Sequence, residues 1–269
     1  MSKTKRPRTD STLARDVSKP LKHPPLSEVA FEVNFHNLFA VETGIAEYQR
    51  RVESVYPTSV GEYVVRLPPS VAFGKPTRQE NTSLKPLRSF VFQNPTAART
   101  IRVSVVNFTL LVTDYLHFED YKRSLIAALS PAIEIFQLQR VERMGLRYVN
   151  LIPIPKEQAE VRYRERVRSP IGASAFSRRV PSSFLAEVSI DLDDAKKLTI
   201  RSGLLPPQDH ALPTRNYLLD LDCYSFGDVP LTTAGLPKLL DEYHGAIEAE
   251  FMRAVTDEYW KDMEGAASR

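Results

Sequence analysis

The stretch at residues 141–155, VERMGLRYVNLIPIP, constrains this chain more than any other. It follows a long segment of helical apolar periodicity and closes on two prolines, Pro153 and Pro155. Tyr148, Val149, Leu151 and Ile152 crowd its second half and leave little for water to face. Such a run reads as a strand buried on both faces in the middle of a sheet. Arg143 and Arg147 flank Gly145 at period two, so they share one face. Arginines on a core strand require partners of opposite charge, inside the protein or in a ligand.

The segments before it alternate between strand and helix patterns. Residues 29–35 put Val29, Phe31, Val33 and Phe35 on one side and Glu28, Ala30, Glu32 and Asn34 on the other, as a half-buried strand does. A helix is predicted over 41–56, with Ile45, Tyr48, Val52 and Val55 in one stripe and Pro57 at its end. A short strand is expected at 63–67 and a long surface loop at 68–86. Strands at 88–93, 100–106 and 108–114 form a meander, turning at Asn94-Pro95-Thr96-Ala97 and at Asn107. An amphipathic helix over 118–136 turns Phe118, Tyr121, Leu125, Leu129, Ala132 and Phe136 inward. Its first turn carries Glu119 and Asp120, which the helix dipole favours, and Pro131 predicts a kink or break.

A second set begins after residues 156–183, which read as an arginine-rich linker. Residues 184–192 place Phe184, Ala186, Val188, Ile190 and Leu192 inward against Glu187, Ser189 and Asp191. Strands are expected at 198–201 and 217–224, the latter alternating Leu219, Leu221 and Cys223 against Asp220 and Asp222. Thr232 or Thr233 can cap a last helix, with Pro237 in its first turn. The stripe Leu236, Leu240, Tyr243, Ile247, Phe251, Val255, Tyr259, Met263 predicts one continuous helix of about seven turns. Each half opens on an alternating strand and closes on a strand ending in tyrosine, then a long helix, which suggests an internal duplication. The expected fold class is α+β, with two related lobes, each a mainly antiparallel sheet packed against a long helix. The expected division is a disordered basic tail at 1–24, an N-terminal lobe at 25–155, the linker, and a C-terminal lobe at 184–264.

Several function classes lose support at once. No apolar run approaches the ~20 residues that span a bilayer, and the N-terminus lacks the apolar region of a secretory signal. The single cysteine, Cys223, excludes an intrachain disulfide. A cytoplasmic protein without membrane contact is the expectation. The net charge of +3 is laid out unevenly. Seven Lys/Arg lie in residues 1–22, and Arg162, Arg164, Arg166, Arg168, Arg178 and Arg179 lie in 161–179, whereas 238–264 hold eight Asp/Glu. The basic segments can meet nucleic acid, or the acidic end of another copy.

Catalytic signatures are sparse. Neither GxxxxGK[ST] nor GxGxxG, HExxH nor GxSxG occurs, and His23, His36, His117, His210 and His244 are scattered. No zinc site, cofactor or catalytic residue is expected. Asp220 and Asp222 share a strand face, either as a Mg²⁺-holding pair for nucleic-acid processing or as a salt-bridged face. Arg143, Arg147 and Asn150 are candidates for an anion-binding cleft, with Gly145 leaving room for a ligand. The same arginines fit an internal ion-pair network in which Glu32 takes part. His244 reads as a helix-surface or satisfied buried histidine. Tyr259, Trp260 and Met263 suit either core packing or an apolar end for a protein partner or homodimer.

These residues also carry a resemblance. Pro24-Pro25-Leu26-Ser27-Glu28-Val29, Tyr115-x-x-Phe118-Glu119-x-Tyr121 and Met144-Gly145-Leu146-Arg147-Tyr148-Val149-Asn150 resemble a sporadically distributed family of prokaryotic proteins of unknown function. Leu219-Asp220-Leu221-Asp222-x-Tyr224, Tyr243-His244, Phe251 and Val255-Thr256-Asp257 extend the likeness through most of the chain. The Gly-Leu-Arg-Tyr-Val-Asn run is its most specific piece, and His117 departs from the small capping residue expected there. The resemblance brings no activity with it, and its scattered occurrence implies a mobile, phage-defence or toxin–antitoxin-like setting. With the absence of catalytic motifs and the polarised charge, the expectation is a non-enzymatic protein-interaction or regulatory component of such a module. Nucleic-acid binding or metal-dependent nucleic-acid processing is the alternative.

Overall fold

Alternating sequences need neighbouring strands to satisfy their backbone groups, and here they find them in one sheet. A computed structural model of the chain describes residues 21–36, 38–64, 87–168, 182–207 and 213–265. Its strands are β1 (Leu26–Asn34), β2 (Thr58–Val64), β3 (Leu87–Gln93), β4 (Arg99–Ser104), β5 (Asn107–Val112), β6 (Arg140–Pro155), β7 (Ala186–Asp191), β8 (Lys196–Leu204) and β9 (Thr214–Pro230). They lie in the order β2-β3-β4-β5-β1-β6-β9-β8-β7, and every neighbouring pair is antiparallel.

The α+β class is as expected, but the strands of both halves share this one sheet. β6, from the first half, pairs with β9, from the second, from Arg140↔Pro230 to Pro155↔Thr214. The boundary expected at 156–183 therefore falls between two adjacent central strands. The alternating strands that suggested a duplication also sit in unlike places. β1 lies between β5 and β6, whereas β7 is the outer edge.

The helices are α1 (Ala40–Val52), α2 (Phe118–Phe136), the single turn α3 (Ala159–Arg162), α4 (Leu236–Ala254) and α5 (Asp257–Glu264). α2 packs between α1 and α4, and α4 lies on β6 and β9. Directly opposed residues of neighbouring strands share a face. One such row runs Phe92, Ile101, Leu110, Phe31, Leu146, Cys223, Leu198, Ile190. All are buried until the last, Ile190, which is 36% exposed at the β7 edge. Val188 and Leu192, expected inward, are likewise exposed. Their alternation is real, but they stand on an edge strand.

Two helix expectations change. α2 runs through Pro131 without a break. Leu125, Ala128, Leu129, Ala132 and Phe136 are buried on either side of it, and this packing offsets the hydrogen bond that proline cannot make. The last helix is two helices. Val255 is extended and bridges Val167, and Arg168 N–H donates to the Ala254 carbonyl. The Thr256 side chain then caps α5 by accepting from the Tyr259 N–H, 3.2 Å away. Tyr259, Trp260 and Met263 are buried core residues. Residues 21–24, expected to belong to the tail, are held in place, since Lys22 and His23 donate their N–H groups to the Met263 carbonyl. The loop at 68–86 and the tail to residue 20 lie outside the described residues. No described helix is long and apolar enough to cross a membrane.

Candidate ligand pocket

Period two splits the predicted site residues between the two faces of β6. Arg143 and Arg147 project from the face away from the helices. Asn150 projects from the helix face, is 3% exposed, and donates its side-chain N–H to the Leu219 carbonyl. The three do not form one cleft. Gly145 leaves no room for a ligand either, because a Cβ there would meet the Tyr224 Cβ at 2.7 Å. The Arg143 guanidinium covers the same Tyr224 ring, 4.3 Å from its centre.

The arginines are taken by the aspartates. Arg147 makes a two-pronged contact with Asp220, Nε to Oδ1 and Nη2 to Oδ2, both at 2.8 Å. Arg201 reaches the same Oδ2 at 3.3 Å and binds Glu187 at 2.6 Å. Arg143 holds both oxygens of Asp222 at 2.7 and 2.9 Å, with Glu32 at 3.9 Å from its other arm. Burial raises the Asp222 carboxyl above its ordinary range, against the pull of Arg143 and Arg147. This is the ion-pair network, pinning β6, β9, β8 and β7 in register. A cation at Asp220 and Asp222 would have to displace guanidinium groups, so the pair does not fit a metal site. Among the described residues no group of three His, Cys, Asp or Glu is placed to hold a metal.

The linker arginines are engaged as well. Arg162 pairs with Glu165, Arg168 pairs with Asp257, and Arg166 lies over the Tyr259 ring. Arg164 donates to the Tyr163 hydroxyl. Arg178 and Arg179 lie outside the described residues.

A different set of residues converges on the helix face. A hollow of about 420 Å³ opens between the start of α2, the middle of α4, β6, the segment at 21–26 and Trp260. Leu21, Leu26, Phe118, Ile247, Phe251 and Met252 make it largely apolar. A polar chain runs through it. The Tyr115 and Tyr148 hydroxyls are 3.2 Å apart, and Tyr148 Oη is 3.0 Å from His244 Nδ1. The His244 ring stacks on Phe118 at 3.8 Å, and its Nε2 lies 4.0 Å from a Glu248 oxygen.

Burial sets the protonation of this chain. It pushes the His244 imidazole down to about 4, against the pull of Asp241 and Glu119 and with a smaller push from Lys122. It raises the Tyr115 phenol to about 12, the Tyr148 phenol well above its ordinary value, and the Glu248 carboxyl above its ordinary range. At neutral pH the histidine is uncharged. Glu248 on the Nε2 side favours the tautomer in which Tyr148 donates to Nδ1 and Nε2 carries the proton. That leaves an N–H donor and a carboxyl acceptor side by side at the pocket wall.

Periodicity could not bring these four together, since they lie on a turn, a strand and a helix. Tyr115, Phe118, Tyr148, His244 and Phe251 stand in the sequence pieces from which a resemblance was expected. No protein-family model matches the chain, and no curated protein matches it.

Proposed function

We propose that this protein is a cytoplasmic, non-enzymatic binding component whose ligand is a small, mainly apolar molecule with one hydrogen-bonding head. In the regulatory role expected from the sequence, occupancy of the pocket is passed to a protein partner. The mobile, defence-type or toxin–antitoxin-like setting rests on the resemblance alone. The observation that carries the binding reading is the Tyr115–Tyr148–His244 chain lining an apolar hollow of about 420 Å³. Ligand pockets combine this size and lining with a few convergent polar groups. Binding is favoured over a histidine-based acid–base reaction, because His244, held near 4, is a weak base at neutral pH.

Trp260, the single tryptophan, lines the pocket and provides the readout. A panel of aromatic and aliphatic acids, amides and alcohols should contain members that change its fluorescence and raise the melting temperature. Tyr148→Phe removes the hydroxyl at the centre of the chain. It should weaken those ligands about tenfold, the value of one net hydrogen bond. A panel without effect, together with no small molecule co-purifying in native mass spectrometry, would overturn the reading.

A further inference from the structure

Among the described strands β7 ends the sheet, and no described residue pairs with its outer side. Phe184 and Leu192 turn their N–H groups toward β8, donating to Leu204 and Lys196. Backbone direction alternates along a strand, so Leu185, Glu187, Ser189 and Asp191 turn their N–H and C=O groups outward. The side chains of Val188, Ile190 and Leu192 stand exposed on the helix face at 43, 36 and 44%. Natural edge strands are usually protected by lysine, proline or a bulge. β7, AEVSID, has neither residue and pairs with β8 without a register shift. Its two carboxylates pair along the sheet with β8, Glu187 with Arg201 and Asp191 with Lys197, while both stay exposed.

We propose that β7 pairs antiparallel with β7 of a second copy of this chain, with Val188 on the twofold axis. Opposed residues must share a face, which restricts the axis to a residue position. Centring on Glu187 opposes two glutamates. Centring on Ser189 opposes Glu187 to Asp191, and centring on Ile190 opposes Glu187 to Asp193. Like charges directly opposed are unfavourable. Centring on Val188 avoids them all: Glu187 faces Ser189 of the second copy, Ala186 faces Ile190, and Leu185 faces Asp191. The outward groups then form about eight backbone hydrogen bonds. The apolar row that ends exposed at Ile190 continues into the second copy, and the two sheets become one. This inference does not depend on the pocket.

Cysteine cross-linking of the full chain tests the register. At Val188 the two copies oppose each other as a non-hydrogen-bonded pair, with Cα atoms about 4.5 Å apart, within disulfide reach. At Ile190 the two copies are offset by four residues, about 14 Å, beyond that reach. Cys223 is buried and does not compete. Light scattering should give a dimer, Val188→Cys should oxidise to a covalent dimer, and Ile190→Cys should not. Val188→Lys should be monomeric with an unchanged circular dichroism spectrum. A wild-type monomer at high micromolar concentration overturns the proposal and leaves the edge to a strand of another protein. Cross-linking of Ile190→Cys as fast as Val188→Cys overturns it too.

Discussion

At the scale of single residues, His244 is where burial and chemistry meet. Its folded-state value of about 4 lies below the ordinary 6.5. Between those values the unfolded chain binds a proton that the folded chain does not, so stability falls as pH drops from about 7 toward 4. The loss is on the order of 3 kcal/mol at the acid end. Glu248 acts in the opposite sense. Its raised carboxyl favours the protonated form in the fold, a contribution lost as pH rises through its folded value. His244→Asn keeps an acceptor for Tyr148 and cannot titrate. Urea midpoints measured across pH 4–7 should therefore fall less steeply in the variant than in the wild type. In the wild type, proton NMR should show one imidazole titrating near 4; if all titrate near 6.5, the burial argument fails.

At the scale of elements, β6 and β9 approach so closely at Gly145 that only hydrogen fits. An added Cβ meets Tyr224 Cβ at 2.7 Å and the Cys223 carbonyl oxygen at 3.1 Å. Neither atom is at the end of a flexible side chain. Gly145→Ala should destabilise the protein by about 1–3 kcal/mol, as overpacking does. It should also loosen the Arg143–Asp222 contact beside it. Equilibrium unfolding of the variant measures the first effect. An unchanged midpoint would mean that the strands can move apart at no cost. Element ends were the least legible part of the sequence. The stripe from Leu236 to Met263 is apolar throughout, yet the helix stops at Ala254 because Val255 finds a partner in Val167. A stripe reports burial, and a helix can break without interrupting it.

At the scale of the whole molecule, the long β6–β9 pairing makes the two halves of the chain one structure. The row from Phe92 to Leu198 is buried without a gap across both. Unfolding should therefore be a single cooperative transition. Trp260 fluorescence reports the C-terminal half, and far-ultraviolet circular dichroism reports the whole sheet. The two curves should coincide in urea, whereas two separated transitions would restore the two-lobed organisation.

The α+β class, most strands and their inward faces, and the pairing of core arginines with carboxylates could be read in advance; β2, at Thr58–Val64 rather than 63–67, and the exposed apolar side of β7 could not. The legible features are local, set by a period of two or of three to four residues, or by the cost of an unpaired buried charge. Asn150 stands at odd spacings from Arg143 and Arg147, so the same period puts it on the opposite face of β6. Only the tertiary structure decided which strands became neighbours. It joined the expected lobes through β6 and β9, left β7 exposed at an edge, and brought Tyr115, Tyr148, His244 and Glu248 into one pocket. Those arrangements bring together residues up to about 130 positions apart, and a sequence pattern carries no information on such pairings until the chain has closed the loops between them.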